Sequence, residues 1–373
     1  MGSSRLNSRD VLDWDESDVR VRPNKRGSRP RTKDRPAHKS AIRGRVITVD
    51  RGRWSVVVAE GTVNERTLVA TRARELRRTA IVTGDFVDVV GDTSGKKDTL
   101  ARRLGERSCV LRRSADDTNP TERVVVANAN QLVIVVAAAN PQPRTGFIDR
   151  AVVAAYDAGI EPILCVTKTD IRHPQELLDY YQRSGLRIVL SAASDGRAPS
   201  EEGAEGLTTG PVRELLGDLL GNVSVLLGHS GVGKSTLVNA LTGADRATGH
   251  VNSVTGRGRH TSSSALALQP ASDAGVEVPP GTWIIDTPGI RSFGLAHVST
   301  QKVVEAFPDL APGAVECPRG CAHTGDSSGC GITAYVARGE AGPSGADRLA
   351  SMRKLLAAPD QAGNDEKELG SLT

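Results

Sequence analysis

Apolar residues follow one pattern in the first third of the chain and another beyond about Val124. From there to residue 298, uninterrupted apolar runs alternate with segments in which apolar residues recur every three or four positions. Strands that are apolar on both faces are buried on both, and strands separated by helices pair in parallel. We therefore predict an α/β domain with a parallel sheet at residues 114–298.

Strands and helices alternate in this predicted domain. The strands are QLVIVVAA, ILCVTK, RIVLSA, VSVLLG and TWIIDT, and the helices lie in FIDRAVVAAYDAG, HPQELLDYYQRSG, VRELLGDLL and KSTLVNALTG. In the first helix, Ile148, Val152 and Tyr156 share one face. Ligands of open parallel sheets bind in the loops at the carboxyl ends of the strands. The loops that follow these strands are therefore the candidate ligand site.

Residues 40–113 show shorter strands and no helical period. GRVITVD, WSVVVAEG, RTLVATR and DFVDVVGD follow one another, with Gly and Asp at the breaks. Several short strands in so short a segment predict a small β-barrel. An OB-fold is the leading interpretation, and a generic SH3-like barrel fits the pattern nearly as well.

Both ends of the chain are polar. Between Arg20 and Lys39, the N-terminal tail of residues 1–39 is dense in Arg and Lys, and such a segment buries too little apolar surface to fold alone. Two interpretations stay open: a disordered tail, or a basic arm that docks on phosphates. At the other end, residues 299–356 show short helical patterns and residues 357–373 form a polar tail.

Composition narrows the class of protein. Only 3% of the 373 residues are aromatic, so aliphatic side chains must form the cores. No apolar run approaches the roughly 20 residues that a membrane span needs, and no secretory signal follows the N-terminal charges. We therefore expect a cytoplasmic protein with no membrane partner. Five cysteines do not form a disulfide framework in a chain of this length, and a net charge of +4 is too small to indicate a nucleic-acid partner by itself.

A phosphate-binding motif lies between a predicted strand and a predicted helix. GHSGVGKS at residues 228–235 matches the pattern G-x-x-x-x-G-K-[ST] in full. The backbone N–H groups of such a loop, together with the helix N-terminus that follows, bind phosphate oxygens. We expect Lys234 to reach the outer phosphates and the Ser235 hydroxyl to bind Mg²⁺. The residues assigned to this loop are Gly228, His229, Ser230, Gly231, Val232, Gly233, Lys234, Ser235 and Thr236.

A second element, DTPG at residues 286–289, follows the strand TWII. Asp286 would hold Mg²⁺ through water, and the Gly289 N–H would sense a γ-phosphate, as in a switch loop. Alone, this tetrapeptide is also compatible with a plain type I turn. The phosphate motif upstream favours the functional interpretation.

Two further loops indicate guanine as the base. TKTD at residues 167–170 ends one predicted strand, and Ser191 and Ala192 end the next. The Asp170 carboxylate can accept hydrogen bonds from the N1–H and 2-amino groups of guanine, which adenine lacks in that arrangement. Lys168 would extend along the base, and a backbone N–H beside Ser191 would meet the guanine O6. Alone, a Lys-Thr-Asp after a strand is commonly a turn or a helix cap.

The order of these motifs is TKTD, SA, GHSGVGKST, GRGRHT and DTPG, with a barrel before them and a Cys/His cluster after them. In this the chain resembles the circularly permuted, ribosome-small-subunit-dependent GTPases of bacteria over roughly residues 40–356. The resemblance implies GTP/GDP, Mg²⁺ and one structural Zn²⁺ as cofactors, and a role with the small ribosomal subunit and its rRNA in late subunit assembly. The family usually has Asn at the position of Thr167. Because a hydroxyl forms fewer hydrogen bonds than an amide, this departure bears on nucleotide affinity more than on guanine preference.

Hydrolysis requires a positioned water and stabilisation of the charge on the transferred phosphoryl group. Many GTPases use a Gln just after the DTPG-like element, but Ile290 stands there in this chain. The resemblance implies a first switch at GRGRHT, residues 256–261, with Thr261 on Mg²⁺ and the γ-phosphate and His260 positioning the water. Lys234, His260 and Thr261 are thus the candidate catalytic residues. In a loop of this composition, His260 is equally compatible with contacts to RNA.

Four potential metal ligands lie in the stretch CPRGCAHTGDSSGC: Cys317, Cys321, His323 and Cys330. Three thiolates and one imidazole are typical of a closed structural zinc site. A redox-active dithiol is the competing interpretation, and the neighbouring His and third Cys favour the metal.

The sequence thus predicts a multidomain protein: an OB-type β-barrel, a circularly permuted P-loop GTPase domain with a parallel sheet, and a C-terminal helical zinc-binding domain. We expect it to be a monomer. Without the resemblance, the residues support a GTP-switched binder of RNA. Two alternatives remain open: a ribosome-independent metabolic or signalling GTPase, and an RNA-binding scaffold for which GTP is only a ligand.

Overall fold

The computed structural model describes most of residues 40–357. The described ranges are 40–77, 79–95, 99–114, 122–192, 210–244, 265–271, 276–287, 295, 297–325 and 329–357. The basic tail expected at residues 1–39 and nearly all of the polar tail expected at residues 357–373 lie outside them. No helix in these ranges is long and apolar enough to cross a membrane.

The first five strands close into a barrel. They are β1 Ile42–Asp50, β2 Arg53–Val58, β3 Arg66–Arg72, β4 Phe86–Gly91 and β5 Thr99–Leu104. Strand β1 pairs with both β2 and β4, β3 pairs with β5 in parallel, and β5 pairs with β4, so the ring runs β1-β2-β3-β5-β4-β1. A closed five-stranded barrel of this kind confirms the OB-type fold over the SH3-like alternative. Alternate residues such as Val46, Leu68 and Ala101 are fully buried inside it.

A hairpin follows the barrel, formed by β6 Val110–Ser114 and β7 Glu122–Ala127. It forms a sheet of its own. The β7 residue Val126 also bridges to Thr83 of the barrel segment. The predicted boundary at residue 113 falls inside β6.

The α/β domain contains the predicted parallel sheet. Its strands are β8 Gln131–Ala137, β9 Glu161–Thr167, β10 Arg187–Leu190, β11 Val223–Leu227 and, later in the chain, β13 Trp283–Asp286. They pair in parallel in the order β10-β9-β8-β11-β13. All seven residues of β8 are buried, as expected for a strand with helices on both faces.

Four helices cover this sheet: α1 Thr145–Asp157, α2 Gln175–Tyr181, α3 Gly210–Leu219 and α4 Lys234–Thr242. The alternation of side chains along β8 separates the two cores. Ile134 packs in the same cluster as Ile148 of α1, whereas Val135 packs in the same cluster as Leu215 of α3. On the helical face predicted for α1, Ile148 and Val152 are buried, but Tyr156 is 39% exposed.

One strand that the sequence did not indicate joins the barrel to the α/β sheet. Strand β12, Leu266–Leu268, pairs antiparallel with β13 on one side and with β1 on the other. Thr48 lies opposite Leu266, and Leu266 lies opposite Asp286. The two sheets are therefore continuous, with eleven strands.

The C-terminal segment consists of short helices: α5 Thr300–Glu305, a 3₁₀ helix at Ala311–Glu316, α6 Gly331–Ala337 and α7 Gly345–Leu356. Phe307 and Met352 of this segment belong to the same buried cluster as α1. The C-terminal helices therefore share a core with one face of the α/β domain.

A buried ion cluster crosses this junction. Arg348 of α7 is 2% exposed; its Nε and Nη2 atoms donate to the Asp309 carboxylate at 2.8 and 3.1 Å, and its Nη1 donates to Asp149 of α1 at 2.6 Å. The hydroxyls of Tyr180 and Tyr181 also donate to Asp149, each at 3.0 Å. Burial raises the pKa of the Asp149 carboxyl, although Arg348 opposes that shift. One guanidinium thus ties α7 to α1, and through the two tyrosines to the end of α2.

We predict that Arg348→Met destabilises the protein by about 3–5 kcal/mol, because it leaves two buried carboxylates without their cation. Denaturant unfolding measures this change. Arg338→Met is the matched control, since Arg338 forms exposed ion pairs with Glu316 and Glu340 and its loss should change stability little. Equal losses in the two variants would contradict a special role for the buried cluster.

Candidate nucleotide site and cysteine cluster

The described parts of four predicted motifs, TKTD, SA, GHSGVGKST and DTPG, meet at one edge of the sheet. Because the five strands are parallel, their carboxyl ends lie side by side. The loops that begin there start at Ala138, Lys168, Ser191, Gly228 and Thr287. Motifs far apart in the sequence are thereby brought together.

The phosphate loop has a backbone that requires glycine. Gly231 and Gly233 have φ angles of +81° and +87°, in the left-handed region. A Cβ on Gly228 would lie 2.6 Å from the carbonyl oxygen of Val135 in β8, so the loop passes too close to that strand for any side chain. Helix α4 begins directly after, at Lys234. Its first turn exposes Ser235 and Thr236.

Lys234 lies against the end of β13. Its Nζ donates to the Asp286 carboxylate and, at 3.3 Å, to the Thr287 carbonyl. Asp286 is only 3% exposed. An ammonium suited to phosphate and a carboxylate suited to a hard divalent cation thus lie side by side at the mouth of the site. With the exposed Ser235 hydroxyl, this oxygen donor set fits Mg²⁺.

The base-side loop is bonded to the phosphate loop. Thr167 is buried, and its hydroxyl lies within hydrogen-bond distance of the carbonyls of Val232 and, at 3.2 Å, Val136. Lys168 has a positive φ of 57°, and its Nζ donates to the Gly231 carbonyl at 2.7 Å. Two consecutive residues of TKTD therefore hold two residues of the phosphate loop.

The two base-side loops are also bonded to each other. The backbone N–H and the hydroxyl of Thr169 both donate to the Ser191 carbonyl, at 3.2 and 3.0 Å. The Ser191 N–H donates to Val166 of β9 at 2.7 Å. Asp170 follows with an exposed side chain, and Ala192 lies half-buried beside Ser191.

Two residues at this edge, Asn140 and Phe147, belong to no sequence motif, so the sequence did not indicate them. Lys168 also donates to the Asn140 carbonyl in the loop after β8, and the Phe147 ring of α1 lies 4.3 Å, centroid to centroid, from the His229 ring of the phosphate loop. The only available signal was that the β8–α1 loop must open onto the same edge. His260, Thr261 and Gly289 lie outside the described residues.

The four predicted metal ligands do come together. The donor atoms of Cys317, Cys321, His323 and Cys330 all lie within 4.8 Å of one another. The Cys317 and Cys330 sulfurs are 3.9 Å apart, and His323 Nδ1 is 3.4 Å from Cys317 Sγ. Tetrahedral zinc with Zn–S bonds of about 2.3 Å requires sulfurs about 3.8 Å apart, so the donor set and its spacing fit zinc.

The environment favours a thiolate at one of these cysteines. Burial raises the pKa of Cys330, but hydrogen bonds with His323 and Thr333 outweigh that effect and lower the pKa to about 6. At Cys317, burial raises the pKa, and its sulfur accepts a hydrogen bond from the Gly331 N–H at 3.2 Å. Metal ligation requires thiolates, so the Cys330 environment is consistent with a metal ligand.

The sequence pattern of the RsgA GTPase family matches residues 104–296, about half of the chain. Relatives also match across most of the chain. This chain is 35% identical over 287 residues to a small ribosomal subunit biogenesis GTPase RsgA of Pseudomonas aeruginosa (strain LESB58). The match covers 75% of this chain and 76% of the relative. The chain belongs to the RsgA GTPase family.

A second RsgA, from Chlorobaculum tepidum, is 30% identical over 330 residues, covering 85% of this chain and 98% of its own. Among solved structures, YjeQ from Thermotoga maritima superposes with a TM-score of 0.57 at 22% identity, covering 85% of this chain and 99% of its own. YloQ, described as a circularly permuted GTPase, superposes with the same score at 19% identity, covering 86% and 97%. These two structures share the fold of this RsgA-family GTPase.

We predict that Thr167→Val in this RsgA-family GTPase raises the Kd for GDP about 5- to 30-fold, because it leaves the Val232 carbonyl of the phosphate loop without its donor. Guanine preference over adenine should persist, since Asp170 is unchanged. Calorimetric titration with GDP measures the affinity.

Thr242→Val is the matched control for that variant. The Thr242 hydroxyl also donates to a backbone carbonyl, Val238, but within α4 and away from the base-side loops. An unchanged Kd in Thr167→Val would show that the hydroxyl does not hold the phosphate loop.

Proposed function

We propose that the chain is a GTP-hydrolysing switch that acts in the late assembly of the small ribosomal subunit, with hydrolysis stimulated by the subunit. The observation that carries this proposal is the contact of Thr167 and Lys168 with the phosphate loop, in a chain whose base-side motifs precede that loop. The names of the curated relatives, small ribosomal subunit biogenesis GTPases, support the choice of partner.

The phosphate end of the nucleotide is assigned to the loop at residues 228–236. The Lys234 ammonium would neutralise the outer phosphates, and the loop N–H groups would donate to their oxygens. Ser235, Thr261 and Asp286 would hold Mg²⁺, directly or through water. When bound, Mg²⁺ neutralises charge on the phosphate oxygens during transfer.

The base end is assigned to the two loops that the Thr169–Ser191 hydrogen bonds hold together. The exposed Asp170 carboxylate would accept from guanine N1–H and the 2-amino group, and a backbone N–H at Ser191 or Ala192 would donate to O6. The Lys168 side chain would lie along the base, on the side of the phosphate loop where its ammonium already bonds Gly231.

Hydrolysis is assigned to the two switches. His260 would orient the attacking water, Thr261 would contact Mg²⁺ and the γ-phosphate, and the Gly289 N–H would sense that phosphate. The water-positioning Gln of many GTPases has no counterpart directly after DTPG, where Ile290 stands. Intrinsic turnover should therefore be slow until a partner orders the switches.

RNA contact is assigned to the barrel. OB-type barrels commonly bind nucleic acid, and phosphate contacts favour arginine. Among the described residues, the exposed arginines of the barrel are Arg43, Arg51, Arg53, Arg72, Arg74, Arg77 and Arg103. We propose rRNA of the small subunit as their ligand, and with it a cytoplasmic location and a monomeric free state.

We further propose three folded domains, at residues 40–113, 114–298 and 299–356, with one structural zinc in the third. The zinc would be held by Cys317, Cys321, His323 and Cys330. It would supply a crosslink between the 3₁₀ helix that precedes Cys317 and helix α6, which begins at Gly331.

The decisive experiment compares GTP and ATP hydrolysis with and without purified small ribosomal subunits. We expect GTP-specific turnover that is slow alone and strongly raised by the subunits, and none in Lys234→Ala. Equal rates with and without subunits would favour a ribosome-independent GTPase. Nucleotide binding without stimulated hydrolysis would favour an RNA-binding scaffold.

The zinc proposal predicts about one zinc per chain by elemental analysis of protein purified under reducing conditions. Cys330→Ser should lose most of the metal and melt at a lower temperature. Cys109→Ser is the matched control and should retain the metal, because Cys109 is not part of the cluster. A metal-free protein with a Cys317–Cys330 disulfide in mass spectra would instead support the redox dithiol.

A further inference from the structure

The barrel contacts the two strands that are next in sequence to the predicted switch segments. Strand β12 begins just after the segment that contains residues 256–261, and β13 ends at Asp286. The barrel strand β1 pairs with β12 at Thr48 and Leu266. In addition, the buried Thr83 hydroxyl donates to the Ala265 carbonyl at 2.9 Å.

A second contact holds the other strand. The carboxylate of Glu60, in the loop between β2 and β3, accepts a hydrogen bond from the indole N–H of Trp283 at 2.5 Å. Its other oxygen accepts from Arg45 Nε at 3.2 Å. Trp283 is 3% exposed and is the first residue of β13. Arg45 therefore holds the Glu60 carboxylate from within the barrel, and Glu60 in turn bonds the strand that ends in Asp286.

The surroundings of Glu60 are closely packed. A Cβ on Gly61 would lie 2.6 Å from the Cβ of Pro280, so the barrel loop passes directly against the turn that precedes β13. Gln269, just after β12, donates to Glu65 of the same loop at 3.2 Å. The loop at residues 59–65 thus touches the connection between β12 and β13 near both of its ends.

We propose that Glu60 is a positioning residue for Asp286 and couples the barrel to the magnesium side of the nucleotide site. Trp283 precedes Asp286 by three residues, or about 10 Å of extended strand. Strand β13 is paired on both edges, so a shift at Trp283 is passed along the strand to the carboxylate at its end. The inference deepens the proposed function and rests on it for the identity of the partner that binds the barrel.

The coupling acts in both directions. If docking of the barrel affects how well Asp286 holds the cation, then the bound nucleotide and cation must affect how the barrel docks, by the same factor. A partner bound to the barrel would thereby reach the site through Glu60 without contacting the nucleotide.

The test is the Mg²⁺ dependence of binding of a fluorescent, non-hydrolysable GTP analogue. Glu60→Ala should raise the Mg²⁺ concentration for half-maximal affinity about fivefold or more, while the affinity measured in EDTA stays unchanged. In Glu60→Gln the Mg²⁺ midpoint should stay close to that of the unmodified protein, because the amide oxygen still accepts from the indole N–H. Trp283→Phe should reproduce the shift, and the double variant Glu60→Ala/Trp283→Phe should add little to it.

Glu75→Ala is the matched control. Glu75 is a barrel carboxylate paired with Arg102 of β5 at 2.5 Å, so its loss changes the charge of the barrel equally. An unshifted Mg²⁺ midpoint in Glu60→Ala, or an equal shift in Glu75→Ala, would overturn the proposal. If Glu60→Ala does not fold, the milder Trp283→Phe decides by the same criterion.

A subunit-stimulated hydrolysis assay on the same variants separates this inference from the proposed function. Absence of stimulation in the unmodified protein would refute the proposed partner and leave the Mg²⁺ midpoints to decide the role of Glu60. Stimulation that is retained in full by Glu60→Ala, with an unshifted midpoint, would refute the positioning role alone.

Discussion

Parallel pairing of the five central strands is the constraint on which the rest of this structure depends. It brings the carboxyl ends of β8, β9, β10, β11 and β13 to one edge, whatever their order in the chain. The base-side loops precede the phosphate loop in sequence, yet Thr167 and Lys168 bond directly to it. A nucleotide site built in this way depends on the position of each strand in the sheet, and circular permutation leaves that position unchanged.

Permutation does change what lies next to the switches. The barrel is placed before the base-side strands, and its β1 continues the sheet through β12 into β13. The C-terminal helices follow the second switch in sequence, but Arg348 ties them to Asp149 of α1 and thereby to the helices that follow the base-side edge. The two flanking parts of the chain thus contact different elements of the α/β domain: the barrel pairs with β12, and α7 bonds to α1.

Much of this architecture could be predicted because the signals are local. Continuous apolar runs predict the parallel strands, the glycines of residues 228–235 predict a loop with positive φ angles between a strand and a helix, and the clustering of three cysteines and a histidine predicts a candidate metal-ligand set. Strand β5 has no clear strand pattern in the sequence, because TLARRL carries two arginines, one exposed and one half-buried. Strand β12 could not be predicted either, because three residues are too few to establish a hydrophobic period.

The contacts between distant segments could not be predicted for a different reason. A Glu in a barrel loop and a Trp that begins a strand, 223 residues later, each have an unremarkable local pattern, and only the register of β1 against β12 brings them together. The same holds for Arg348 and Asp149, whose charges would be read as solvated without knowledge of α7 packing on α1. Burial then changes the energetics of both pairs, because a charge removed from water must find its partner inside the protein. The barrel and the C-terminal helices are therefore held by polar contacts with defined partners, rather than by apolar area alone. The Arg348 cluster fixes α7 to α1 in the same way, through two buried carboxylates that share one guanidinium.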